Sequence, residues 1–138
     1  MMHPRSKMVP VLVLVAIVAG IVSAVALSGV LTQTTFSDGG TLHYQFIKRV
    51  AFDFDSGWHT HAGLTVIQVQ EGSLKIYERG NCTPVTVNAG DTRIEIPYET
   101  VRAIGKGNVV WTTSFLIRAE DPLLTPMPAS YDPCPGIA

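Results

Sequence analysis

The stretch Gly57–Gly72, GWHTHAGLTVIQVQEG, decides how the rest of the chain is read. Its histidines, His59 and His61, stand two residues apart, and in an extended strand that spacing puts both imidazoles on one face. Two neutral imidazoles aimed at one point can hold a divalent metal or donate hydrogen bonds to an anion. A single strand histidine is more often a satisfied polar residue, whereas a pair opening an apolar strand points to a pocket. Beyond the pair, Thr65, Ile67 and Val69 share one face and Val66, Gln68 and Gln70 the other, as in a sheet with one wetter side. Glu71-Gly72 then reads as a hairpin turn into a returning strand, Ser73 to Tyr77.

On either side the same alternation continues. Upstream, Leu42 to Asp55 carries period-two patches such as Val50, Phe52 and Phe54, so one or two strands are expected there. His43, at its start, reads as an exposed edge residue, although it could also join the pair. Downstream, turns at Arg79-Gly80-Asn81, Asn88-Ala89-Gly90-Asp91 and Gly105-Lys106-Gly107-Asn108 separate strands at Val85 to Val87, Thr92 to Ile96, Val101 to Ile104 and Val109 to Ile117. Short strands punctuated in this way predict an all-β antiparallel sandwich or barrel. From Ala119 five prolines prevent regular structure, and the tail is expected to wrap the surface.

The 138 residues allow one core domain of roughly 90 to 110 residues. Met8 to Leu31 holds no charged residue, and as a helix it would reach about 36 Å, enough for a tilted membrane span. Arg5 and Lys7 precede it and the next basic residue is Lys48, so the N-terminus is expected in the cytoplasm and the domain outside the cell membrane. Cleavage near Ala24-Val25-Ala26 is the rival reading and would give a secreted protein. The organisation read from sequence is therefore a signal anchor or signal peptide over 1–31, a polar tether over 32–41, a barrel over 42–118 and a proline-rich tail over 119–138. After the apolar run, eight Lys and Arg face eleven Asp and Glu, and this mild acidity excludes a nucleic-acid surface.

In its motifs the chain resembles the cupin superfamily, whose jelly-roll barrel is built from two short motifs. His59-Thr60-His61, three residues, Thr65, six residues and Gly72 keep the spacing of the first motif, with Thr65 where the family has glutamate. Gly90-Asp91, then Ile96-Pro97, follow the second motif with one extra residue, Glu99 replacing its glycine and Arg102 its histidine. The resemblance covers about Gln45 to Ile117 and is closest in outline to short, secreted actinobacterial-type cupins with a Cys-Thr-Pro segment and a late cysteine. It implies a cupin double-stranded β-helix, metal-ligand roles for His59 and His61, and pairing of barrels through their sheets as a route to a homodimer. Cys82 and Cys134 are expected to form a disulfide that pins the tail, in keeping with an oxidising compartment.

A cupin metal centre presents three imidazoles and a carboxylate, and here the motifs supply only two imidazoles. One divalent metal, weakly held, is then expected if waters, a ligand carboxylate or an acid such as Glu95, Glu99 or Asp53 fill the sphere, and spacing does not select among those acids. Arg102, if inward, would repel such an ion and would suit a carboxylate instead. Ligand-binding residues are thus expected at His59, His61, Thr65 and Arg102, with the histidines titrating near neutral pH. Three functions follow: an extracytoplasmic module binding a small acidic molecule, a metal-dependent cupin enzyme of oxygenase or isomerase type, and a non-catalytic envelope protein with a vestigial site.

Overall fold

The computed structural model describes residues 28–37 and 42–137. Every strand pairing in it is antiparallel, and among the described residues there is no helix. The strands are β1 (Ser28–Ser37), β2 (Leu42–Asp55), β3 (His59–Thr60), β4 (Leu64–Glu71), β5 (Ser73–Glu78), β6 (Asn81–Asn88), β7 (Thr92–Glu95), β8 (Val101–Ile104), β9 (Asn108–Arg118) and β10 (Thr125–Pro126). They run in the order β10-β3-β8-β2-β9-β4-β7, with β1 added to β2, and β5 bridging β6 and β8. This is a nearly closed antiparallel β-barrel, one of the two all-β architectures expected from the alternation and consistent with the jelly roll that the resemblance implies.

The core follows from period two. On β4, Thr65, Ile67 and Val69 are buried while Leu64, Gln68 and Gln70 are exposed. Ile67 and Val69 meet Phe54, Leu74, Ile76, Val101, Val109 and Trp111 in one apolar cluster, and Ile47, Phe115 and Ile117 form a second, smaller one. Gly72 turns the β4–β5 hairpin at φ +73°, where a side chain would also strike the Asn108 carbonyl. Gly63 lets the chain press against the Leu116 carbonyl between His61 and Thr65, a place with no room for a Cβ.

Two expectations need correction. The stretch read as a tether is strand as far as Ser37, and β1 pairs with β2 from Ser28 opposite Asp55 to Ser37 opposite Gln45. Threonine-rich segments pass for linkers by polarity, yet their β-branched side chains suit a half-exposed strand. Because β1 begins at Ser28, the last four residues of the apolar run belong to the barrel. The anchor or signal segment itself lies outside the described residues. The tail is not without regular structure either: Thr125 and Pro126 pair with Thr60 and His59, and Met127 N–H donates to Trp58 O at 2.9 Å. The Cys82–Cys134 disulfide is present and fastens the far end of that tail to β6.

Candidate functional site

β3 and the turn after it aim both histidine rings inward, where His59 is 4% and His61 5% exposed. Their Nε2 atoms stand 3.1 Å apart, with ring centroids 4.7 Å apart and planes 75° from each other. Each Nδ1 faces a carbonyl: His59 Nδ1 donates to Gly57 O at 2.9 Å, and His61 Nδ1 to Leu123 O at 2.5 Å. When both Nδ1 atoms carry the hydrogen, both Nε2 atoms of the neutral rings are acceptors, so two lone pairs face each other across the gap.

Glu95 completes this group from the neighbouring strand. It is the register partner of Thr65 on β4, so the structure provides a carboxylate one strand away from the place where the motif lacks one. Glu95 is 1% exposed, its Oε2 lies 3.4 Å from His61 Nε2, and neither oxygen has a hydrogen-bond partner. Burial first, then the nearby Glu99, raises its pKa to about 8, so at neutral pH it carries a proton.

The remaining polar member is Arg49 on β2. Its Nε donates to Gln33 Oε1 at 3.0 Å and its Nη1 to Thr113 Oγ1 at 3.3 Å, and the guanidinium lies 5.9 Å from the Trp111 ring centroid. Among the described residues no carboxylate forms an ion pair with it, and burial lowers its pKa to about 10. Arg49, His59, His61 and Glu95 together line a cavity of ≈ 50 Å³, walled by Trp111, Thr113 and Phe115 and roofed by Leu123 and Leu124 of the tail.

The histidines do not titrate near neutral pH as expected. Burial above all, then the charge of His59, pushes His61 down to about 4, and burial likewise lowers His59, with Arg49 repelling both charged rings. Thr65 faces inward and is fully buried, but its hydroxyl donates back to Gly63 O at 3.3 Å and it does not line the cavity. Arg102 is not in the site. It faces outward on β8 and grips Asp55 through two hydrogen bonds of 3.0 and 2.7 Å, lining a separate groove of ≈ 310 Å³ beneath the tail. His43 pairs with Ile117 and is not on the cavity wall. Of the candidate acids only Glu95 reaches the histidines, since Glu99 pairs with Arg93 and Asp53 accepts from Gly107 N–H.

Sequence reasoning missed Arg49 because no motif marks it. A signal was nonetheless present: in KRVAF a charged residue occupies the same face as Ile47 and Ala51, which bury as a strand core.

Toward the divalent metal that the resemblance implies, the described residues offer two facing Nε2 atoms and the Glu95 carboxylate. The Glu95 carboxylate is in ion-pair range of His61 alone, and no three His, Cys, Asp or Glu among the described residues group so as to hold an ion. A buried guanidinium in the same cavity adds repulsion, at an effective dielectric of ~20 several kcal/mol for a dication at short range.

No family model matches this sequence, and no curated protein does. Solved structures do match. The chain is similar to a cupin-2 domain containing protein from Shewanella frigidimarina, at 21% identity and TM-score 0.52 over 62% of this chain and 80% of that one. It is also similar to a cupin-like protein from Thermotoga maritima, at 14% identity and TM-score 0.55 over 69% and 74%. A third, a cupin superfamily protein from Desulfitobacterium hafniense, matches at 13% identity and TM-score 0.53 over 62% and 76%. The fold is therefore that of the cupin superfamily, as the motifs had implied.

Proposed function

We propose that this chain is an extracytoplasmic cupin barrel that binds a small carboxylate in the ≈ 50 Å³ cavity. One observation carries the reading: Arg49 is a buried guanidinium on the cavity wall whose partners among the described residues, Gln33 and Thr113, are neutral. A charge taken out of water without a counter-ion is costly, and a bound carboxylate offsets that cost through charge-assisted, bidentate hydrogen bonds. The cationic role assigned from the motif to Arg102 thus passes to Arg49. The cavity has room for a molecule of only a few heavy atoms, since water occupies about 30 Å³ in the liquid. The tail contributes Leu123 and Leu124 to its lining.

The disulfide supports the location, because such bonds persist in oxidising compartments, and the charge-free run ahead of β1 supports attachment to the membrane or export across it. Calorimetric titration of the full chain with acetate and formate tests the proposal. Saturable one-to-one heat in the parent, weakened about 100-fold in Arg49→Gln, is expected. Equal heats from the two proteins would remove the arginine, and with it the carboxylate reading.

A further inference from the structure

The cavity is divided chemically. On one side, His59 Nε2, His61 Nε2 and the two oxygens of Glu95 are acceptors or an unpartnered acid, because both Nδ1 atoms face backbone carbonyls. On the other side Arg49 offers only donors. The two sides do not neutralise each other. No ion pair joins Arg49 to Glu95; burial alone moves the arginine, and the charges felt by Glu95 are those of Glu99, Arg93 and Glu78. A carboxylate ligand satisfies only the arginine and leaves the opposed Nε2 atoms and Glu95 as they were.

We propose that the ligand is a small amino-acid zwitterion, with its carboxylate on Arg49 and its ammonium donating to His59 Nε2, His61 Nε2 and Glu95. This deepens the carboxylate reading and rests on it. An ammonium carries three donors and no acceptor, the complement of two facing Nε2 acceptors and the unpartnered Glu95 oxygens. The roof of Leu123 and Leu124 keeps the ligand short, which favours glycine or β-alanine over amino acids with long side chains. Glu95 is then a specificity-determining residue, whereas Arg49 anchors any carboxylate.

Titration of the full chain at pH 7 with glycine, β-alanine, acetate and methylammonium tests this. At least one of the two amino acids should bind tenfold or more tightly than acetate. Glu95→Gln should lose the tenfold preference for the amino acid over acetate, and Arg49→Gln should weaken every carboxylate. Acetate binding as tightly as both amino acids, or a preference that survives in Glu95→Gln, overturns the inference while sparing the carboxylate reading. Failure of acetate itself, with no effect of Arg49→Gln, overturns both. The parent also gives a readout without substitution: the Nε2 resonances of His59 and His61 should move on adding glycine and stay in place on adding acetate, and identical responses overturn the ammonium contact. One-to-one capture of zinc(II) or manganese(II) by the parent also overturns it, by assigning the acceptors to a metal.

Discussion

Arg49 and Arg102 are both strand arginines on this barrel, yet the fold gives them opposite environments. Arg49 points inward with neutral partners, and burial depresses its pKa to about 10; Arg102 points outward onto Asp55, whose hydrogen bonds raise its pKa. The first is a charge held ready for a ligand, and the second is an ion pair already satisfied at the rim. Their difference shows that a binding arginine is recognised by what it lacks. The larger groove lies beside Arg102, but volume alone does not make that groove the site, since the charge there is already paired.

The sharpest way to probe the interior is through its protons. Glu95 has its pKa raised from 4.5 to about 8, so the folded state keeps a proton that the unfolded chain releases, and stability is lost as pH rises through that window. Relative to Glu95→Gln, the parent should lose up to about 5 kcal/mol between pH 4.5 and 8, measured by denaturant unfolding at a series of pH values. The depressed histidines act with the opposite sign, because the unfolded chain takes up protons first. The contribution of His61 is present above pH 6.5 and lost as pH falls towards 4, and His61→Gln should flatten that acid limb. Parallel pH profiles for parent and both variants would mean that the interior groups are not shifted, and the contrast with the rim would collapse.

Next in size is the disulfide. Cys82 and Cys134 are 52 residues apart, and the chain-entropy treatment of such a loop gives about 4 kcal/mol. The Cys82→Ser, Cys134→Ser double variant should unfold at correspondingly lower denaturant. It should also bind acetate less tightly, since the tail supplies the Leu123 carbonyl that orients His61. Lost stability with unchanged affinity would show that the tail is structural at the rim and irrelevant to the cavity.

Direct comparison of the two arginines follows. Arg49→Gln should cost about 100-fold in acetate affinity, equal to about 2.7 kcal/mol. Its fold should hold, because a buried charge without a counter-ion is removed. Arg102→Ala should leave affinity unchanged and lower stability by no more than about 1 kcal/mol, the range of a solvent-accessible ion pair. If Arg102→Ala reduces binding as much as Arg49→Gln does, the groove beneath the tail must be part of the site.

Local chemistry made half of this legible without the fold. Period two placed His59 and His61 on one face and sorted β4 into core and solvent residues, and both results depend only on backbone geometry within a few residues. Turn residues marked most strand ends for the same reason. The polar composition of 32–37 misled because an exposed edge strand resembles a linker until its partner is known, and β1 acquires meaning only from its register with β2. Arg49, Glu95 and the tail carbonyl of Leu123 reach the histidines from β2, β7 and the segment before β10, across 12, 34 and 62 residues from His61. The sequence by itself determined the inward histidine pair, while tertiary structure decided which acid, which arginine and which roof surround it. Alternation is a property of one strand, whereas cross-strand register and barrel closure bring together residues that carry no mark of one another along the chain.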